Sequence, residues 1–254
     1  MDSILNRDVC EPDHIVLWFD VTMGNPDEYQ LFKRAFATNV DPRVESPTSL
    51  TSRDIQNLLG ANESQTVFFE GAEVLLQVFD EQDKCLEAFK RHSDKRIYFI
   101  TSGSSGRQIV PEIFEYNPDA FKDSITHQAI YVLCHNIKLN MPWAMEYIEY
   151  ILMFDFDSEL LERLVREIAL YYLNRAERMM TEPNRQVETL QCLNWAQRLW
   201  YNYDQMLQQI PVRESTQMTE INDLIRQVES TLVSLENSND QNDDDEKVVE
   251  ESGS

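Results

Sequence analysis

The sequence predicts an α/β protein: a five-stranded parallel sheet of flavodoxin-like order 2-1-3-4-5, followed by an all-helical segment. Three observations predict it. Short apolar runs alternate with amphipathic stretches between residues 14 and 155. The first two of these runs end in an acid, at Asp20 and Asp80, and the character changes to sustained helical periodicity after Asp155.

Residues 1–13 read as a polar lead-in. His14-Ile15-Val16-Leu17-Trp18-Phe19 is an unbroken apolar run, the pattern of a strand buried on both faces and hence central. Asn25-Pro26-Asp27-Glu28 carries cap chemistry and leads into helical spacing at Leu31, Phe32 and Phe36. Residues 40–68 have loop composition, with one short helical piece at Ile55–Leu59, and read as an insertion. The second strand is Val74–Phe79, followed by an amphipathic helix at Gln82–Arg91. The third strand, Arg96–Thr101, runs into Ser102-Gly103-Ser104-Ser105-Gly106 and a helix around Ile109–Phe114. Ala129–Cys134 and Tyr150–Phe154 supply the fourth and fifth strands, with a short helix at Trp143–Tyr147 between them. Right-handed crossovers would leave this sheet covered on both faces.

Residues 156–236 read as about three helices: Phe156–Met180 with Leu160, Leu161, Leu164, Ile168 and Tyr172 on one stripe, then about 186–209, then about 216–236. From residue 237 to 254 the composition is Asn, Asp, Glu and Ser, which predicts a disordered acidic tail.

The chain has 254 residues, with 45 acidic against 22 basic side chains and a formal charge of −23. That field repels phosphate backbones and anionic membranes, so a nucleic-acid or membrane partner is not expected. The balance keeps the chain soluble or suits a basic partner, and a protein partner is expected. The four cysteines, Cys10, Cys85, Cys134 and Cys192, form no CxxC or Cys/His cluster, so no metal site is expected and a reducing, cytoplasmic compartment fits. No signal peptide and no membrane helix are expected.

Ligands of open parallel sheets bind at the carboxyl ends of the strands. Those ends supply Asp20, Asp80, Cys134, His135 and the Ser102–Gly106 turn. In Ser102-Gly103-Ser104-Ser105-Gly106-Arg107, two glycines free the backbone, amides meet a helix start and Arg107 adds charge. This is either an anion or nucleotide site, with Gly103 a candidate for positive φ, or a strand-to-helix turn capped by serines. Asp20 and Asp80 read as metal-type acids or as loop caps. Cys134 and His135, as sequence neighbours on a strand, point to opposite faces and so do not pair. No cofactor is called for.

The run ending in Asp20, the Phe79-Asp80…Cys85 segment, Ile100–Pro111 and Ala129–Cys134 resemble a domain of multidomain invertebrate proteins. In those proteins a receiver/TIR-like domain accompanies tetratricopeptide repeats or an ADP-ribosyltransferase. A receiver's phospho-accepting Asp would end the third strand, where Thr101-Ser102 stands instead. The strand, Ser-rich turn and helix of Ile97–Phe114 are similar to Toll/interleukin-receptor (TIR) domains. The helix Glu that is catalytic in NAD-cleaving members would correspond to Glu112, with Gln108 and Ile109 replacing the family's Trp and Cys. Tyr171-Tyr172, Leu190 and Ala196 resemble a single tetratricopeptide hairpin. No catalytic constellation stands at the strand ends, so a non-catalytic interaction or signalling module is expected. The alternative is a nucleotide- or NAD-handling enzyme of TIR-like type using Ser104, Ser105, Arg107 and Glu112 of the Ser-Gly turn and its helix.

Overall fold

All six side chains of strand β1 (His14–Phe19) are buried, and the strand lies between β5 (Ala72–Phe79) and β6 (Arg96–Ser102). The computed structural model describes residues 12–25, 29–38, 48–59, 61–121, 128–182, 184–207 and 215–250. The chain divides into two compact units, residues 11–167 and residues 168–254 with 1–10.

In the first unit, alternation along β1 feeds two layers of core. Ile15, Leu17 and Phe19 face Phe99 and Val132, under Cys85, Ala88 and Phe89 of α3 (Gln82–Arg91) and Ile109, Val110 and Ile113 of α4 (Gly103–Tyr116). On the other face Trp18 meets Phe32 of α1 (Gln30–Ala35) edge-on, with ring centroids 4.8 Å apart. Each such side chain contributes about 1.5–3 kcal/mol on burial.

The expected five-stranded, wholly parallel sheet is corrected. The sheet is mixed and eight-stranded, with β2 (Phe36–Thr38), β3 (Thr48–Ser49) and β4 (Gln65–Phe69) beyond β5, and β7 (Ile130–Leu133) and β8 (Ile151–Phe154) beyond β6. Its order is β3-β2-β4-β5-β1-β6-β7-β8. The strands from β5 to β8 in that order are mutually parallel, whereas β4, β2 and β3 pair antiparallel. Of the extra strands, β3 and β4 come from the region expected as an insertion, around α2 (Ser52–Leu59), and β2 from the end of the stretch expected as helix, where Phe36 is extended. The physical reason is the hairpin turn at Glu70-Gly71. Both residues have positive φ, 47° and 88°, as a tight primed turn requires, so the chain folds back from β4 onto β5.

The segment before β8 holds α5 (Ile137–Ala144), capped by the Asn136 side chain, and a 3₁₀ turn at Met145–Tyr147. The first half of α6 (Asp157–Met179) belongs to this unit. Leu160, Leu164 and Val165 are buried there, and the Tyr98 hydroxyl of β6 donates to the Glu167 carbonyl at 3.4 Å.

The second unit contains the rest of α6, α7 (Gln186–Met206) and α8 (Thr216–Glu250). Tyr172 of α6 packs on Trp195 of α7 at 4.9 Å between centroids. Gln197 on α7 donates to Asn222 on α8 at 2.6 Å, and the Trp200 indole donates to Ser215 at 3.0 Å. Cys192, Leu193, Ala196, Leu199, Ile221 and Val228 are buried. The acidic stretch expected to be disordered from 237 continues α8 as far as Glu250. Nothing between 216 and 250 is Gly or Pro, so no residue there breaks the helix. The lead-in before residue 12 and residues 251–254 lie outside the described residues.

Candidate functional site

A cleft of about 840 Å³ opens at the carboxyl ends of the parallel strands. Its floor and walls come from the loop after β1 (Asp20, Thr22, Tyr29), the start of α4 (Ser102, Gly103, Ser104, Arg107), the end of β7 (Cys134, His135), α5 (Leu139, Asn140) and the junction of β8 with α6 (Asp155, Phe156, Asp157).

The serine-glycine segment is not a loop. Ser102 is the N-cap of α4, its hydroxyl accepting the Ser105 N–H at 3.2 Å, and Gly103 to Arg107 form the first helical turns. Gly103 does not have positive φ; Gly71 does, alone among the described glycines. Its role is close approach. A β-carbon on Gly103 would lie 2.7 Å from the Cys134 β-carbon and 2.7 Å from Asn140 Nδ2. Gly106 faces Thr101 and Trp143 in the same way, at 2.9 and 3.1 Å. The two glycines let α4 settle against the sheet and against α5. Ser105 and Gly106 are therefore buried under the helix and do not line the cleft, while Ser104 and Arg107 are exposed on its rim. The Ser104 and Ser102 hydroxyls sit 3.2 Å apart. Arg107 makes no ion pair or hydrogen bond among the described residues.

The strand-end acids separate. Asp20 is buried and fully engaged. Its Oδ1 accepts from the Thr22 N–H at 2.7 Å and the Thr22 hydroxyl at 2.8 Å. Its Oδ2 accepts from the Tyr29 hydroxyl. Tyr29 reaches it from a left-handed backbone, φ 55°, a conformation that stores strain at a side chain this large. Lys33 secures the same loop, donating to the carbonyls of Met23 at 3.3 Å and Asn25 at 2.8 Å. Asp80 is exposed and outside the cleft. Glu112 is also outside it, accepting from Gln82 of α3 at 2.8 Å. Asp20 and Asp80 thus share no site, and among the described residues no group of three or more His, Cys, Asp or Glu could hold a metal ion.

His135 is exposed on the rim and Cys134 forms part of the wall. Burial pushes the Cys134 thiol up, opposed by a hydrogen bond with Asn140, so it stays protonated near neutral pH. The cleft sets one guanidinium among Asp20, Asp155 and Asp157, so its field is mixed and not that of a simple phosphate cradle.

Thr22, Tyr29, Leu139, Asn140, Phe156 and Asp157 were not foreseen as cleft residues. The helical cap at Asn136 was readable and would have placed Leu139 and Asn140. Tyr29 carries no such signal, because its placement depends on its unusual φ. Comparison with family models, curated proteins and solved structures finds no significant match to this chain. Among the described residues no helix is long and apolar enough to cross a membrane.

Proposed function

We propose that this chain is a non-catalytic protein-interaction module of signalling type, which docks a protein partner on the carboxyl-end face of its sheet. One observation carries the reading. Asp20 is held in structural hydrogen bonds and Asp80 and Glu112 lie outside the cleft, while Val21, Leu139 and Phe156 are left exposed at the strand ends where Arg107 is unpaired. Apolar side chains around a lone guanidinium suit a protein surface, whose hot spots combine apolar anchors with arginine-type contacts. The parallel strands in order β5-β1-β6-β7-β8 support a flavodoxin-like core carrying added strands, which agrees with a receiver/TIR-like origin. Buried free thiols at Cys85, Cys134 and Cys192 support a cytoplasmic setting. The acidic balance argues against nucleic-acid and membrane partners.

The rival is nucleotide or NAD handling through Ser102, Ser104 and Arg107. Thermal melts and product chromatography with NAD, ADP-ribose and ATP separate the two. The module reading expects no product and no rise in midpoint. Turnover that disappears in Arg107→Ala would overturn it.

A further inference from the structure

The helical segment that precedes the last strand exposes an apolar stripe away from the cleft. Met141, Met145 and Ile148 are 45%, 55% and 54% exposed. Their spacing is i, i+4, i+7, and the backbone stays right-handed helical from α5 through the 3₁₀ turn to Ile148, so the three lie on one face. Trp143 and Tyr147 lie on the other side of the segment and pack against the core. Such a stripe, with two methionines that adapt to irregular partners, suits pairing with the apolar face of a partner helix.

The charge around it selects the partner. Glu146 and Glu149 are exposed beside the stripe and make no ion pair among the described residues. Lys138 is the sole base between residues 136 and 157, against Glu146, Glu149, Asp155 and Asp157. With −23 on the whole chain, a second copy would meet like charge. We infer that Met141, Met145 and Ile148, flanked by Glu146 and Glu149, dock an amphipathic helix whose apolar face is bordered by Lys or Arg. This inference rests on the interaction-module reading and gives the module a second docking face, apart from the cleft.

The test uses the full chain and a fluorescent 14-residue Leu/Lys amphipathic helix as probe, read by anisotropy. A Leu/Glu peptide of the same pattern is the control. The Leu/Lys probe is expected to bind and the Leu/Glu probe not to bind. Met145→Ser and Ile148→Ser, which leave charge unchanged, are each expected to weaken binding roughly tenfold or more, the scale of losing an interface anchor. Glu149→Gln is expected to weaken it less and to reduce its salt dependence. Val187→Ser, at an exposed apolar site of the other unit, is expected to change nothing. Equal weakening by Val187→Ser would reduce the binding to unspecific attraction and overturn the inference. So would dimerisation of the wild type that Met145→Ser abolishes, or binding to neutral lipid vesicles through the stripe. Folding of each variant is checked by its melting midpoint, and wild-type failure to bind the Leu/Lys probe also overturns it. Those results leave the cleft-face reading standing, because none of these variants touches the cleft.

Discussion

Gly103 and Cys134 approach so closely that a β-carbon on the glycine would sit 2.7 Å from the β-carbon of the cysteine. The start of α4 and the end of β7 are joined at that point, and it fixes where Ser102, Ser104 and Arg107 stand on the cleft. Alanine at 103 gains less in helix propensity than the about 1 kcal/mol of an interior site, because Gly103 is the first residue of α4. Overpacking against a β-carbon that cannot rotate away costs about 1–3 kcal/mol. The second effect wins, so Gly103→Ala is expected to lower stability in urea denaturation. Gly106→Ala should cost less, because part of its contact is the Trp143 ring edge at 3.1 Å.

Tyr29→Phe removes the phenol that donates to Asp20 and leaves the ring packed on Trp18. A hydrogen bond to a carboxylate is worth about 1.5–3 kcal/mol. The expected result is a loss of that size in chemical denaturation. Asp20→Asn should lose less, because its remaining side-chain oxygen can still accept from Thr22. Equal stability of wild type and Tyr29→Phe would show that Thr22 and Lys33 hold the loop without the phenol.

Burial pushes the Tyr98 and Tyr131 phenols above their ordinary value near 10. In the unfolded chain they ionise there; in the folded chain they stay protonated. Their contribution is complete below pH about 10 and is lost as pH rises further, because only the unfolded state releases protons. Stability measured by urea between pH 8.5 and 11 should fall more steeply in the wild type than in Tyr131→Phe. Parallel slopes would show that the Tyr131 phenol ionises freely in the fold.

Arg107 has no partner among the described residues and is exposed. Arg107→Ala should therefore leave stability within about 0.5 kcal/mol of wild type. A larger loss in urea denaturation would give Arg107 a structural role and remove it as a docking contact.

The parts legible in the sequence were those with a strong period. The unbroken run Ile15–Phe19 placed β1 between two strands because only a strand buried on both faces needs apolar residues at every position. The hairpin was not read, although Thr66, Val67, Phe68 and Phe69 are strand formers, because the Pro/Ser/Thr-rich stretch before them was extended over them as loop and the turn is Glu70-Gly71, where a non-glycine takes positive φ. The Ser-Gly segment was read as a turn because glycine usually signals a loop. Here both glycines serve helix packing, and that depends on Cys134 and Trp143, which are remote in sequence. The cleft was legible as a set of strand ends. Which side chains face it was not: Glu112 turns to Gln82, Asp80 lies outside, and Tyr29 enters through a strained backbone.

The most direct test of the docking face is site-specific photo-crosslinking in the native cell. A photoreactive residue is placed at Leu139 or Phe156 on the carboxyl-end face, and at Val187 on the other unit. The account predicts the same polypeptide captured from Leu139 and Phe156, absent from Val187, and reduced when Arg107→Ala is added. Capture that is equal at all three positions and indifferent to Arg107 would contradict it.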